Sequence, residues 1–367
     1  MRETLIILIK SYSINIIYTV KMFFIIICNI FKIDLKLYIW VRLFAWLLFK
    51  GNHQRLNVEH PKDIKLIHDH SKSINKNLLY SNKENFYQWL VGFTDGDGSF
   101  TIYGQKLKTG QYKWSLFFKI TQSSYNLRIL YFIKKELGYG SVQLENGKSM
   151  ADFRIRDKNI INKVIFPIFD KYPLLTSKYF NYLKFKKAYE ILTNLELTKE
   201  VRDQLLLKLK DEKLPLNYLS PIWQQINYVV RDTDDAKIIM SKFWLIGFTE
   251  AEGSFYIVKK DNRRLVHAFE ITQKLDIIVL ESIAHILGVS VKNKKIYNTV
   301  VTTNSRAIYN IIVYFRNTMK GMKALEYRIW SQSYIKYKGN NHKLNETRDF
   351  MRNIRSIRLD KNWHIKD

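Results

Sequence analysis

Only one cysteine, Cys28, occurs among 367 residues, which excludes an intramolecular disulfide and a cysteine-rich zinc site. The eight histidines show no HExxH or other paired zinc-ligand spacing; His68 and His70 merely flank Asp69 in a polar stretch. No glycine-rich phosphate loop of the GxxxxGK or GxGxxG type is present, and no GxSxG nucleophile elbow, so NTP-driven and acyl-transfer chemistry lack support. Acidic residues are also scarce: 33 Asp plus Glu stand against 60 Lys plus Arg, for a net charge of +27. Such an excess favours a nucleic acid or an anionic membrane as partner, because basic side chains displace the counterions condensed on phosphates. Hydrophobic residues make up 47% and aromatics 14%, enough for a substantial core.

The first fifty residues differ from the rest. Ser11–Phe31 and Leu37–Phe49 are apolar apart from Lys21, Arg42 and a few uncharged polar residues. Lys21 inside a span would cost about 2.5–3.5 kcal/mol, so a weak membrane helix or interfacial anchor is what residues 1–50 could support. No small-residue cleavage site follows, and the stretch is not an Arg/Ser-rich transit peptide. Residues 1–84 are read as an apolar extension followed by a solvated connector from Gly51 to Glu84.

From residue 85 the chain reads twice through the same order. Phe86–Gly96 has helical spacing; Ser99–Tyr103 and Gln111–Gln122 alternate as strands around a Thr109-Gly110 turn. Leu127–Leu137 is an amphipathic helix ended by Gly138, and short strands near Gly140–Leu144 and Ala151–Ile155 lead to further helices. The second copy has a helix at Phe243–Ala251 and strands at Ser254–Lys259 and Leu265–Gln273. A helix at Ile277–Leu287 stopped by Gly288, strands near Val289–Asn293 and Asn298–Thr302, and a helix from Ser305 follow. The expected units are 85–197 and 241–345, joined by a linker at 198–240 and followed by a basic tail at 346–367. The linker starts as a charged helical stretch, Thr198–Lys213, and continues irregularly through LPLNYLSPIW.

The two opening helices are nearly the same: WLVGFTDGDGSF at Trp89–Phe100 and WLIGFTEAEGSF at Trp244–Phe255. Gly92 and Gly96, and Gly247 and Ala251, lie four apart and therefore on one face. Glycine inside a helix costs up to about 1 kcal/mol, and what it permits is close approach of two backbones. The two helices are thus expected to pack against each other. Their acids, Asp95 and Asp97, Glu250 and Glu252, fall at the C-terminal ends, where the helix dipole disfavours negative charge. A divalent cation would reverse that penalty, and oxygen-only ligands suit Mg²⁺. An EF-hand reading of Asp95-Gly-Asp97-Gly fails for want of the remaining loop ligands.

At these residues the sequence resembles the LAGLIDADG homing endonucleases in their single-chain, two-repeat form. LVGFTDGDG and LIGFTEAEG match the motif that names the family, and the likeness extends over about residues 86–340. It includes ITQ at Ile120–Gln122 and Ile271–Gln273, and a lysine in PLLTSKYFNY and TMKGMKALEY that pairs Lys178 with Lys323. Thr318-Met319 in place of Pro-Leu departs from the pattern and weakens the assignment of Lys323.

The resemblance implies an α+β fold: two pseudo-symmetric αββαββα repeats packed through their motif helices, each with a curved antiparallel DNA-binding sheet. It implies a site-specific double-strand DNA endonuclease of the intron-homing type, with Asp97 and Glu252 binding catalytic Mg²⁺. Gln122, Gln273, Lys178 and Lys323 would form the surrounding water network, while Asp95 and Glu250 would be structural caps. Double-stranded DNA would be read from the outward strand faces, an element that fits the major groove. On the first repeat these are Ser99, Thr101, Tyr103 and Gln105, then Gln111, Lys113, Ser115, Lys119 and their alternates Phe117 and Thr121. On the second they are Ser254, Tyr256, Lys260 and Arg264, with Val258 and Glu270 as looser counterparts. With both motifs in one chain, the protein is expected to act as a monomer.

Two other readings share the scaffold: an RNA maturase acting on its own intron RNA, and a catalytically idle DNA-binding protein. Intact acids in both motifs favour cleavage. Five prolines beside abundant Ile, Asn, Lys, Phe and Tyr suggest AT-rich coding, which with the family's habits points to a mitochondrial intron.

Overall fold

The structure, a computed structural model, describes residues 71–145, 149–261 and 264–359. The expectations for residues 1–50 and for the connector up to residue 70 therefore lie outside the described residues. Among the described residues no helix is long and apolar enough to cross a membrane.

The first repeat runs α1 (Ser71–Asp97), β1 (Gly98–Lys106), β2 (Tyr112–Ser123), α2 (Leu127–Leu137), β3 (Ser141–Leu144) and β4 (Met150–Ile155). A helical run follows, with α3 (Lys158–Ile160) continuing through Ile161–Ile165 into α4 (Phe166–Lys171), and α5 (Lys178–Thr193) closes the repeat. After α6 (Lys199–Asp211) and α7 (Thr233–Ile239), the order recurs: α8 (Lys242–Glu252), β5 (Ser254–Asp261), β6 (Arg264–Gln273) and α9 (Ile277–Leu287). Then come β7 (Val291–Asn293), β8 (Asn298–Thr302), α10 (Ser305–Tyr314), α11 (Lys323–Tyr337) and α12 (Asn341–Leu359). Each repeat carries a four-stranded antiparallel sheet, ordered β1-β2-β4-β3 and β5-β6-β8-β7. The identical order is the duplication seen in the sequence, expressed as topology.

Alternation decides which sheet face is buried. On β2, Leu116, Phe118 and Ile120 are buried while Lys113 is exposed and Ser115, Phe117 and Lys119 half-buried. The helices cover the apolar face, and Phe118, Phe153, Phe169 and Phe185 fill the first core, Phe255, Phe269, Phe315 and Trp330 the second. Full burial of each such ring stabilises by about 1.5–3 kcal/mol. Gly138 and Gly288 end α2 and α9 in the left-handed conformation (φ 76° and 65°), as their positions after the last apolar residue imply.

Two boundaries differ from the sequence reading. Helix α1 already runs through Ser71–Glu84, inside the stretch expected to be a connector, where no proline or glycine interrupts the helix. Helix α12 crosses the expected start of the basic tail: Leu344 and Met351 are buried, and Arg355 binds Glu326 at 2.7 Å and the carbonyl of Phe255 at 2.6 Å. The tail is thus tied to the second repeat through residue 355. The linker is docked rather than loose. Trp223 is fully buried and donates through Nε1 to the carbonyl of Leu175 (2.8 Å), and Ser220 donates to the carbonyl of Leu174 (2.7 Å). Asp203 on α6 accepts from Trp114 Nε1 (2.7 Å) and the Tyr112 amide (3.0 Å), fixing the first hairpin to the linker.

Candidate active site

Helices α1 and α8 touch backbone to backbone. A Cβ added to Gly92 would stand 2.0 Å from the Trp244 carbonyl oxygen, and one added to Gly247 would stand 2.0 Å from that of Trp89. One turn on, a Cβ at Gly96 would meet Ala251 Cβ at 2.3 Å and Glu252 Cγ at 3.2 Å. The small residues of the two motifs therefore form a single seam, and the seam brings the acidic helix ends together. Strand register completes the arrangement. Gly98 pairs with Ile120 and Ser254 with Glu270, so each motif acid sits beside the glutamine that closes the second strand.

Gln122 Nε2 donates to Asp97 Oδ2 at 2.6 Å, and Gln273 hydrogen-bonds Glu252. Burial raises the pKa of Glu252, the charge of Asp97 raises it further, and Lys178, Gln273 and Lys323 only partly offset this. That mutual repulsion is the electrostatic signature of two carboxylates held close in a poorly solvated place. Lys178 donates to the carbonyls of Thr94 (3.1 Å) and Gly96, and Lys323 to that of Gly253. Each lysine therefore lies against the negative end of its own motif helix, where a cation is favoured. Burial pushes the Lys178 ammonium down, opposed by the nearby carboxylates of Asp95, Asp97, Glu252 and Asp276. A cleft of about 150 Å³ opens here, lined by Asp97, Gln122, Asn126, Glu250 and Lys323 among others.

The inner acids have a different task. Asp95 is 3% exposed and accepts from the Leu175 amide (2.9 Å), the Thr176 amide (3.1 Å), the Thr176 hydroxyl and Trp244 Nε1 (2.8 Å). Glu250 accepts from the amides of Lys320 (2.7 Å) and Gly321 (3.0 Å). Burial pushes Asp95 up to about 6 against the pull of its donors, and raises Glu250 likewise. Both anchor the loop that leads into the lysine helix of their own repeat. No group of three or more His, Cys, Asp or Glu gathers to hold a metal among the described residues.

The sheet residues named from the sequence lie on the outward faces, but their surroundings differ. Ser99, Thr101, Tyr103, Gln105 and Lys113 are exposed, with Ser99 donating to the Lys119 carbonyl at 3.3 Å. Ser115 is half-buried on the same face. Gln111 precedes β2 and accepts from Lys199, so it serves the hairpin's attachment to α6. Lys119 pairs with Asp152 at 3.1 Å. On the second repeat Ser254 is exposed, Tyr256 donates to Glu270 (2.9 Å), Lys260 to Thr303 (3.1 Å), and Arg264 pairs with Asp261 (3.5 Å). Sequence reasoning missed Asp152 and Arg154 on β4. Asp152 is fully buried, yet Thr121, Arg154 and Lys119 outweigh the effect of burial and hold its carboxyl below the usual range. The alternation in Ala151-Asp-Phe-Arg-Ile155 carried that signal.

Comparison with known proteins agrees with this geometry. The profile of the family described as LAGLIDADG endonuclease matches residues 90–189 and 245–334, the two repeats. A relative from Schizosaccharomyces pombe, named "Probable intron-encoded endonuclease Cox1-I1b", is 40% identical over 294 residues, covering 78% of this chain and 73% of that protein. The "Uncharacterized mitochondrial protein RF1" of Saccharomyces cerevisiae is 33% identical over 58% of this chain, which spans 40% of that relative's length. Among solved structures, the I-SmaMI LAGLIDADG homing endonuclease bound to cleaved DNA superposes with a TM-score of 0.60 at 28% identity, over 76% of this chain and 98% of that one. The same enzyme bound to uncleaved DNA with calcium ions gives 0.60 at 27%, over 74% of this chain and 98% of that one. Two motif helices sharing a glycine seam, two sheets of one topology and a profile matched twice lead to one conclusion: the chain belongs to the LAGLIDADG endonuclease family.

Proposed function

We propose that this chain is an intron-homing endonuclease that hydrolyses one phosphodiester in each strand of a specific DNA duplex, working as a monomer in the mitochondrion. The observation that carries it is the pair Asp97 and Glu252, each at a helix end, each oriented by a glutamine and accompanied by a lysine. Support for the setting comes from relatives named as intron-encoded or mitochondrial. Support for the substrate comes from the DNA held by I-SmaMI.

The donors at the site are hard oxygens, and the two partly buried carboxylates repel each other. Both features fit a divalent cation, and two carboxylates without histidine or cysteine suit Mg²⁺, which completes its shell with water and phosphate oxygens. Asp97 and Glu252 would hold it; when bound, it supplies charge neutralisation at the phosphate and acidified water. The chain's own groups do the rest. Gln122 and Gln273 fix the orientation of the two carboxylates. The ammonium groups of Lys178 and Lys323, held on carbonyls beside the two acids, would orient water and offset charge growing on phosphate oxygens. The exposed polar residues of β1, β2, β5 and β6 would contact the grooves, with Lys113 and Arg264 also placed to meet phosphates.

Cleavage selection on a randomised duplex library in Mg²⁺ tests this reading, with Asp97→Asn/Glu252→Gln run beside the wild type. The expected result is a single enriched target, cut in both strands by the wild type and bound but uncut by the double variant. Retained double-strand cutting by that variant would reject the site.

A further inference from the structure

The lysine helices α5 and α11 are each gripped from the opposite repeat. Directly before Lys323, the amide of Met322 donates to Asn126 Oδ1 at 2.8 Å, and Asn126 belongs to the β2–α2 loop of the first repeat. Directly before Lys178, the amide and hydroxyl of Ser177 donate to Asp276 at 2.8 and 2.9 Å, and Asp276 belongs to the β6–α9 loop of the second. Asn126 and Asp276 hold the same place in their repeats, one residue before α2 and α9. The two contacts are thus one device used twice, crossing the seam in opposite directions.

One grip is bonded through to a metal-side acid, and the other lies close to its counterpart along the chain. Asn126 Nδ2 donates to Gln122 Oε1 (2.8 Å), and the same Gln122 holds Asp97. A continuous run of bonds therefore leads from Asp97 through Gln122 and Asn126 to the start of α11, whose Lys323 reaches the residue beside Glu252. On the other side Gln273 holds Glu252, and three residues later Asp276 holds the start of α5, whose Lys178 reaches the residue beside Asp97.

Two local features show how closely these places are specified. A Cβ at Gly321 would lie 2.5 Å from Asn126 Oδ1 and 3.0 Å from Glu250 Oε1, so any side chain there would displace the Asn126 carboxamide from the cross-repeat contact. Asp276 adopts φ 59°, a conformation that costs an L-residue energy and is tolerated where the surroundings demand it. Resting on the endonuclease reading above, we propose that Asn126 and Asp276 are positioning residues through which each repeat sets the lysine of the other. Neither half of the cleavage centre is then complete without its neighbour.

The test separates the strands. A duplex from the cleavage selection, labelled with a different fluorophore on each strand, is cut by wild type, Asn126→Ala, Asp276→Gly and Asp276→Asn in Mg²⁺. Glycine at 276 relieves the backbone while deleting the side chain, and asparagine keeps the conformation and an acceptor for the Ser177 amide, with its NH2 facing the Ser177 hydroxyl as donor. Asn126→Ala is expected to slow one strand roughly tenfold or more, and Asp276→Gly the opposite strand, because misplacement by about 1 Å can cost up to 10²-fold. Nicked duplex accumulates in both cases, and Asp276→Asn stays close to wild type. A second measurement needs no DNA: reductive methylation read by mass spectrometry should rise selectively at Lys323 in Asn126→Ala and at Lys178 in Asp276→Gly.

Equal slowing of both strands, slowing of the same strand by both variants, or unchanged lysine labelling would overturn this cross-repeat positioning. A wild type that cuts no duplex would overturn the endonuclease reading instead. The labelling pattern still decides the cross-repeat grip in that case.

Discussion

Adding one methyl group to the seam between α1 and α8 should do more damage than most larger changes elsewhere. Alanine at Gly92 or Gly247 places Cβ 2.0 Å from a carbonyl oxygen of the facing helix, whereas contacts below 3.0 Å are essentially never seen. The obstacle is backbone, so it cannot rotate aside, and the helices must part by about 1 Å. Alanine gains up to about 1 kcal/mol in helix propensity over glycine. Against this stand the about 1–3 kcal/mol typical of overpacking and the lost contacts along the whole seam. Overpacking wins, and Gly247→Ala is expected to be destabilised by about 1–2 kcal/mol in urea denaturation. The functional loss should be larger than the stability loss suggests. Asp97 and Glu252 ride on these helices, and a displacement near 1 Å can cost up to about 10²-fold in rate. The double variant Gly92→Ala/Gly247→Ala provides the sharpest check. Once the first methyl has opened the seam the second meets less resistance, so the two losses should add to less than their sum. Wild-type stability and cleavage in Gly247→Ala, or strict additivity in the pair, would refute the backbone-contact argument.

Other expectations follow from particular contacts. Burial and the charge of Lys338 push His267 down to about 4, while its Nε2 faces Ser333 at 2.8 Å. Its folded form stays neutral where the unfolded form is protonated, so its contribution to stability is full above about pH 6.5 and is lost as pH falls toward 4, by about 3 kcal/mol in all. Asp95, raised to about 6, works in the opposite sense, since its contribution fades as pH rises through that value. The histidine must therefore be read as the difference between wild type and His267→Gln in urea melts at pH 7 and pH 5, where the variant should show the smaller acid loss. Asp95→Ala strips the acceptor from four donors and should cost roughly 3 kcal/mol, with near-wild-type melting as the disproof. Trp223→Phe deletes the bond to Leu175 and should cost about 1 kcal/mol, measurable as a shift in the denaturation midpoint. Lys113→Ala should lower DNA affinity across all sequences and reduce the salt slope by about 1, in fluorescence anisotropy titrations at several salt concentrations.

Much of the fold could be read because its determinants are local. Helical spacing in Phe86–Gly96, alternation in Gln111–Gln122 and the stop signals Gly138 and Gly288 all act over a few residues, and the elements formed where those patterns lie. The seam was legible too, since Gly92, Gly96, Gly247 and Ala251 announce a close helix pair by their spacing alone. The boundaries at residues 84 and 345 were not. Polar, charged sequence permits either coil or helix there, and contacts made far along the chain select between them. The linker's irregular course was legible from its two prolines, but the bonds from Trp223 and Ser220 to the loop ahead of Lys178 were not.

At the site, the sequence by itself determined which residues carry charge, that they come as two related sets, and that they end two helices able to touch. Those facts depend on residue type and spacing, and both are written in the chain. Only the tertiary structure decided that Asp95 and Glu250 turn inward to hold loops, and that Asn126 and Asp276 reach across to the opposite repeat. The physical reason is separation along the chain: these partners lie 70–196 residues apart, and no local pattern encodes a hydrogen bond whose ends meet only after both repeats have packed.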